Sequence, residues 1–349
     1  MTQKLSFSII IPIYNRPEEI QELLQSLSIQ TYKDFEVLII EDGSTIKCEG
    51  IVESFKSYFQ SIRYVYQENT GPAYARNHGM QLASGNYFIF LDSDCIIPPQ
   101  YMQEVVNELN TKYVDAFGGP DAAHESFSDL QKAINYTMTS MFTTGGIRGG
   151  KNAVDKFQPR SFNMGLSKEV FDKTKGFGRI FPGEDPDLTL RIWESGFDTR
   201  LFPKAFVYHK RRISFEKFSK QVYSFGKVRP MLNFFHPNYT KITFWFPTVF
   251  MLGTCAAVLL CISSFLAIHC CPKWVYFLRL PMFFVLIYIF LIGIDASIKN
   301  KSIKIGLLSI VTVFVQFFSY GTGFLQSWWA INVLGKHPEE AFPKNFKQN

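Results

Sequence analysis

Tyr87-Phe88-Ile89-Phe90-Leu91-Asp92-Ser93-Asp94 is followed closely by Pro98-Pro99. Five apolar residues bounded by turn formers read as a buried strand. Asp92 and Asp94 then stand one residue apart at the strand's C-terminal edge. Like charges that close repel, so they call for a cation or strong donors. Hard oxygen ligands suit Mg2+ or Mn2+, and Mg2+ commonly takes one or two protein carboxylates together with substrate phosphates. A metal-bound diphosphate is one reading of the triplet. A solvated turn at a strand end is the other, and the rest of the chain has to separate them.

Upstream, strand-like and helix-like patterns alternate. Residues 7–11 and 35–40 are apolar runs that read as buried strands, and 62–66 reads as a third. Between them, residues 18–30 carry Ile20, Leu23, Leu24 and Leu27 at helical spacing, and 51–59 form a second helical pattern. Pro72 opens a helix over 73–82, since proline suits a first helical position. A helix near 100–110 and a short strand at 114–117 follow the Tyr87–Leu91 run. Such alternation predicts an α/β fold with a mainly parallel sheet. Ligands of these sheets bind beyond the carboxyl ends of the strands. Tyr14, Asn15, Asp42, Asp92 and Asp94 all fall at such ends. Residues 120–160, rich in Gly, Thr and Ser and holding Gly145-Gly146 and Gly149-Gly150, read as a loop or as a helix with flexible flanks.

The 349 residues suffice for about two domains. Nearly all acidic residues precede residue 241, whereas 241–335 is dominated by Phe, Leu, Ile and Val. Residues 244–268, 274–294 and 303–325 each reach the ~20 apolar residues that cross a bilayer. Arg279 sits near one end of the second, where it can snorkel, and Trp245, Trp274, Trp328 and Trp329 flank the runs as interfacial aromatics do. The expected organisation is therefore a catalytic domain over 1–240, a membrane region over 241–335 with about three transmembrane helices, and a polar tail over 336–349. Lys299, Lys301 and Lys304, between the second and third runs, place that loop in the cytoplasm by the positive-inside tendency. Counting back puts the catalytic domain in the cytoplasm as well, and three spans put the tail outside.

A basic cluster, Lys204, Lys210, Arg211, Arg212, Lys217, Lys220, Lys227 and Arg229, precedes the membrane region and suits anionic lipid head groups. A solvated helix face is the alternative. Nucleic-acid binding is not expected, because no recognised module accompanies the patch. The N-terminal apolar run is too short for a signal peptide and ends at Pro12. Cys48, Cys95, Cys255, Cys261, Cys270 and Cys271 lack zinc-type spacing, which fits a reduced compartment.

Four ordered blocks carry the chemistry: Ile10-Ile11-Pro12-Ile13-Tyr14-Asn15-Arg16, Glu41-Asp42-Gly43-Ser44, Gly71-Pro72-Ala73-Tyr74-Ala75-Arg76-Asn77 before the Asp92–Asp94 strand, and Gly183-Glu184-Asp185-Pro186-Asp187-Leu188. Together they resemble the family 2 glycosyltransferases of the GT-A fold over roughly residues 6–215. The resemblance implies a nucleotide-sugar site in which Pro12, Tyr14 and Asn15 form the first nucleotide-contacting turn. Asp42 would accept the ring N–H of the base, usually uracil; Arg76 would contact the nucleotide or diphosphate, and its guanidinium can grip phosphate oxygens with two prongs. Asp92 and Ser93 would lie near the ribose or sugar. Asp94 would ligate Mn2+ or Mg2+, and His209 occupies a place where relatives carry a histidine near the metal, a structural histidine being the alternative. Asp185 matches the catalytic base, with Glu184 beside it orienting acceptor or base. A helix N-terminus, where acidic residues favour the dipole, explains the same block and is compatible with catalysis. Asn163-Met164-Gly165 resembles an acceptor-side segment. The family commonly has two aspartates where this chain has Glu41 and Asp42.

The resemblance further implies inverting, metal-dependent transfer to a hydroxyl of a cell-envelope glycan or lipid-linked acceptor, by a multi-pass membrane protein in contact with membrane lipids. Gln221-Val222-Tyr223-Ser224-Phe225 departs from the Gln-x-x-Arg-Trp signature of processive synthases, which favours single transfer. A polyprenyl-phosphate sugar synthase and a catalytically silent membrane scaffold are the competing readings. No Gly-rich phosphate loop follows the first strand, which disfavours a sugar nucleotidyltransferase.

Overall fold

The structure is a computed structural model, which describes residues 4–122, 127–144, 156–210, 214–267 and 272–346. Gly145-Gly146, Gly149-Gly150, Arg211, Arg212, Cys270 and Cys271 lie outside the described residues.

In chain order, the first half runs β1 (Phe7–Ile13), α1 (Pro17–Ser28), β2 (Phe35–Asp42), α2 (Glu49–Ser54), β3 (Ser61–Gln67), α3 (Pro72–Leu82), β4 (Tyr87–Leu91), β5 (Cys95–Ile96), α4 (Tyr101–Thr111), β6 (Ala116–Gly118) and β7 (Asp121–Ala122). Then come α5 (Asp129–Thr139), α6 (Met141–Thr144), β8 (Asn163–Ser167), α7 (Lys168–Thr174), α8 (Glu184–Glu194), β9 (Thr199–Leu201) and β10 (Val207–His209). Four long helices follow: α9 (Phe215–Phe235), α10 (Phe246–Ala267), α11 (Pro272–Asn300) and α12 (Ile303–Trp328), before a short α13 (Pro338–Ala341).

The chain divides into two compact units. One comprises residues 1–125, 145–210 and 346–349, and the other 126–144 and 211–345. In the first unit the main sheet has the order β3-β2-β1-β4-β8-β6-β9, and β5-β10-β7 form a smaller sheet. Strands β1, β2 and β4 are buried along their whole length, as continuous apolar runs in a parallel sheet covered on both faces should be. β1 pairs in parallel with β2 and β4, and β2 with β3. β8 departs from the mainly parallel pattern, running antiparallel between β4 and β6. The sheet is GT-A-like, mostly parallel and mixed.

Strand order reverses around β1, with β2 on one side and β4 on the other, which is the topological switch point where α/β sheets bind ligands. α1 opens on Pro17 with Glu18 and Glu19 in its first turn, and buries Ile20, Leu23, Leu24 and Leu27, as a proline-started, dipole-matched amphipathic helix should. Gly71, at φ 92°, turns the chain into α3, where Pro72 takes the first turn. The chain's last described residue also belongs to this unit: Phe346 forms an antiparallel bridge with Ile180.

The second unit is helical. α5 occupies residues 129–139 of the Gly/Thr/Ser-rich region, opened by a Ser128/Gln131 capping box. The segments Ile242–Phe265, Val275–Asn300 and Ile303–Val333 are long and apolar enough to cross a membrane.

Candidate active site

Three loops at the carboxyl ends of β1, β2 and β4 are stitched together by side chains. Asn15 lies at φ 52°, in the left-handed region that asparagine tolerates better than most residues. Its Oδ1 accepts from the Thr45 and Ile46 backbone N–H groups at 2.8 and 3.0 Å, and its own N–H donates to Ser44 Oγ at 2.8 Å. Glu41 is fully buried. It accepts the Ser44 hydroxyl and, at 2.8 Å, the Cys48 backbone N–H. This is the physical role of the glutamate that stands where the family commonly has aspartate: it shapes the turn after β2.

Asp42 is also buried. Its Oδ1 accepts from Gln67 Nε2 and the Thr70 N–H, both at 2.8 Å, while Oδ2 accepts from the Gly71 N–H at 2.7 Å. A carboxylate offers about four lone-pair sites. Asp42 therefore holds the turn into α3 and still has acceptor capacity on Oδ2. Pro12 is buried within β1 and Tyr14 is half exposed beyond it. Ser93 is buried and donates to Glu19 Oε2 at 3.1 Å.

Arg76 is the electrostatic centre. Its guanidinium is buried, with Nη2 2.5 Å from Asp92 Oδ1, Nη1 3.6 Å from Glu184 Oε1, and the Phe177 ring 5.3 Å away. Nε and Nη1 make no hydrogen bond among the described residues. Leaving a buried donor unsatisfied costs about 1–3 kcal/mol, more for a charged group.

Glu184 and Asp185 open α8 behind Gly183, in the first turn with Asp187. Burial, reinforced by the Asp185 charge and opposed by Arg76, pushes the Glu184 carboxyl up to about 7. A carboxyl raised from 4.5 to about 7 contributes stability that is complete below 4.5 and is lost as pH rises through 7. Between pH 5 and 8, the melting temperature of the wild type should fall relative to that of Glu184→Gln; parallel profiles would contradict the assignment. Asp185 is less enclosed and faces Arg160, whose Nη1 lies 3.5 Å from Asp185 Oδ2.

Asp94 and His209 meet through long-range pairing: β10 runs antiparallel to β5, setting His209 opposite Cys95. His209 Nε2 is 3.2 Å from Asp94 Oδ1, and the ring stacks on Phe162 at 4.5 Å. Ligand atoms of Asp94, Cys95 and His209 lie within 4.8 Å of one another. A carboxylate oxygen and an imidazole nitrogen are suitable donors for Mn2+, and the carboxylate for Mg2+. Cys95 does not fit: burial pushes its thiol well above the usual range, and its Sγ–H points to the Phe162 carbonyl at 3.7 Å. Among the described residues of this cluster, Asp94 and His209 thus fit a hard divalent cation.

The structure brings Arg76, Asp92 and Glu184 into one cluster, Asp94 and His209 into another, and Arg160 against Asp185. Asp121 and Arg160 were not singled out by the sequence. Asp121 Oδ2 lies 4.0 Å from His209 Nδ1, beyond hydrogen-bond distance, so the carboxylate is a charged neighbour of the imidazole. Its weak local signal is the Gly118-Gly119-Pro120-Asp121 turn. Asn163, expected on the acceptor side, is buried in β8, accepting from Tyr101 Oη at 2.7 Å and donating to the Ala205 carbonyl at 2.8 Å.

Residues 8–173 match the family model described as glycosyl transferase family 2. Glycosyltransferase AglE of Haloferax volcanii is 34% identical over 237 residues, 63% of this chain and 72% of that protein. The chain belongs to glycosyltransferase family 2. A relative from Rickettsia felis, named as an uncharacterized glycosyltransferase, is 48% identical over 136 residues, 39% of this chain. The match spans only 22% of that protein's own length. Among solved structures, the mannosyltransferase PcManGT from Pyrobaculum calidifontis, in complex with GDP-Man and Mn2+, aligns with a TM-score of 0.58 over 94% of this chain and 88% of that chain. At 14% identity this is a likeness of fold.

Proposed function

We propose that this family 2 enzyme transfers a sugar from a nucleoside diphosphate sugar to a hydroxyl acceptor, with inversion and with a divalent cation at Asp94 and His209. The observation that carries the proposal is Arg76: a buried guanidinium between Asp92 and Glu184 whose Nε and Nη1 make no hydrogen bond among the described residues. A diphosphate supplies the oxygen acceptors those groups lack, in the two-pronged geometry that arginine favours. The donor bound by the Pyrobaculum mannosyltransferase is a nucleoside diphosphate sugar of this class.

Within this reading, Asn15 and Asp42 hold the turns that receive the nucleoside, and Tyr14 is exposed for contact with it. Asp42 Oδ2 is the acceptor left for a base N–H. Asp92, tied to Arg76, lies beside the ribose or sugar, with Ser93 shaping the turn through Glu19. The cation, when bound, neutralises charge on the departing diphosphate. Asp185 takes the acceptor hydroxyl's proton as the oxygen attacks the anomeric carbon. Arg160, 3.5 Å from Asp185, orients its carboxylate.

A hydroxyl acceptor, rather than a lipid phosphate, follows from Asp185 at the head of α8, where a base is supplied; a phosphate nucleophile needs little base catalysis. The acceptor is an envelope glycan or lipid-linked saccharide at the membrane surface, the transfer is single, and the catalytic unit is cytoplasmic with lysines 299, 301 and 304. The test is a donor screen with purified protein and Mn2+, beginning with uridine- and guanosine-linked sugars and reading nucleoside diphosphate release. Release from at least one donor, abolished by chelation, is expected. No release and no binding of any donor would favour a silent scaffold.

A further inference from the structure

We infer that the chain crosses the bilayer twice, through α10 and α11 alone, and that α12 lies on the catalytic side across the roots of that hairpin. This rests on the membrane reading above and goes beyond it, since length and apolarity nominate three helices.

The first observation is topological. The chain leaves the catalytic unit after residue 210 and returns to it at Phe346, which bridges Ile180. A segment that starts and ends on one side of a membrane crosses it an even number of times. Three crossings would strand Phe346 on the far side from its strand partner.

The second observation selects which helix stays out. α12 meets α10 at the beginning of that helix. Trp245 packs on Phe324 and Trp328, Phe246 and Phe250 on Phe317, and Gly321 approaches Thr248 and Met251. It meets α11 at the end of that helix: a Cβ on Gly306 would sit 1.9 Å from Ser297 Oγ, and Ile292 and Ala296 pack with Val313 and Phe317. The start of α10 and the end of α11 form one end of the hairpin. Arg279, early in α11, donates to Ser264, late in α10, at 2.9 Å, closing the opposite end.

The third observation is what sheathes α12. α5 packs on its first half, through Thr137 on Thr312 and an Asp129–Lys304 ion pair at 2.8 Å. α9 packs on its second half. A Cβ on Gly226 would lie 2.1 Å from the Tyr320 carbonyl and one on Gly323 2.2 Å from that of Tyr223, so the helix backbones nearly touch. α9 carries Glu216, Lys217, Lys220, Lys227 and Arg229, and the Glu216–Lys220 pair is largely exposed. Were α12 to cross, α9 would be drawn into hydrocarbon, where a central Lys or Arg costs at least about 2.5–3.5 kcal/mol. By contrast α11 exposes Phe277, Phe283, Phe284 and Phe290, a surface whose fitting partner is lipid hydrocarbon. α10, with 22 residues, is about 33 Å long, enough to cross once.

Two crossings also place Lys336 and Lys344 on the same side as Lys299, Lys301 and Lys304, in keeping with the positive-inside tendency.

Full-length protein in sealed vesicles of one orientation, with Cys255 and Cys261 replaced by Ala, tests the inference with a membrane-impermeant maleimide. In a background also lacking Cys270 and Cys271, Lys56→Cys, Lys301→Cys and Lys336→Cys should all label from one side. Native Cys270 and Cys271 should label from the other. Lys336→Cys labelling opposite to Lys301→Cys would overturn the inference, as would Cys270 and Cys271 labelling with Lys56→Cys. Release of the chain by alkaline carbonate would instead overturn the membrane reading on which it rests.

Discussion

Asp185→Asn should lower kcat for sugar transfer by about 10²–10⁴, the range that a positioned general base supplies, while the donor's KM stays within a few-fold of wild type. The reason lies in geometry. Asp185 heads α8 and faces Arg160, whereas Arg76, Asp92, Asp94 and His209 form the groups assigned to the donor. Removing the carboxylate leaves the donor's contacts in place and takes away only the group that accepts the acceptor's proton. The substitution keeps shape and hydrogen-bonding capacity, so the melting temperature should hold to within a few degrees. Steady-state kinetics at saturating donor check it. Equal losses in kcat/KM for donor hydrolysis and for transfer would mean that Asp185 serves the donor instead. Retained transfer to a polyprenyl phosphate would favour the lipid-phosphate synthase reading.

The second large effect is expected at Asp94. Asp94→Ala removes the one carboxylate placed against His209 Nε2. If the cation contributes several kcal/mol to the departure of the diphosphate, turnover should fall on the order of 10³-fold or more, at about 1.4 kcal/mol per tenfold. Added Mn2+ should not restore it. His209→Ala should behave differently: the concentration of Mn2+ for half-maximal activity should rise, and excess Mn2+ should recover part of the rate. Equal, irrecoverable losses at both positions would point to a structural role for the imidazole on Phe162.

The parts legible in the sequence share a physical cause. β1, β2 and β4 are buried on both faces, so they appear as unbroken apolar runs, and the carboxylates at their ends could be read directly. β8, Asn163–Ser167, was not legible as a strand: Asn, Gly and Ser have little intrinsic strand preference, and the segment is extended because β4 and β6 flank it. Asp121 and Arg160 were invisible for the same reason, since each acquires its meaning only when a distant residue, His209 or Asp185, is folded onto it. Asp42 was found by position, but its bonds to Gln67, Thr70 and Gly71 were not foreseeable.

The membrane region shows the limit most sharply. Hydropathy measures how apolar a helix is, not what covers it. α12 carries Ser309, Thr312 and Gln316 along one side, and these lie buried against protein. That polar stripe is the sequence signal by which a protein-sheathed helix could be told from one with exposed apolar side chains, such as α11.

In the proposed mechanism Arg76, Asp94 and His209 form a cation-assisted diphosphate site. Calorimetric titration of wild type and Asp94→Ala with uridine and guanosine diphosphates, each with and without Mn2+, tests it most directly. Wild type should bind at least one diphosphate, tightened at least tenfold by Mn2+, and Asp94→Ala should show no Mn2+ enhancement. Wild type that binds neither diphosphate with Mn2+ present, or Asp94→Ala with the same Mn2+ enhancement as wild type, would contradict it.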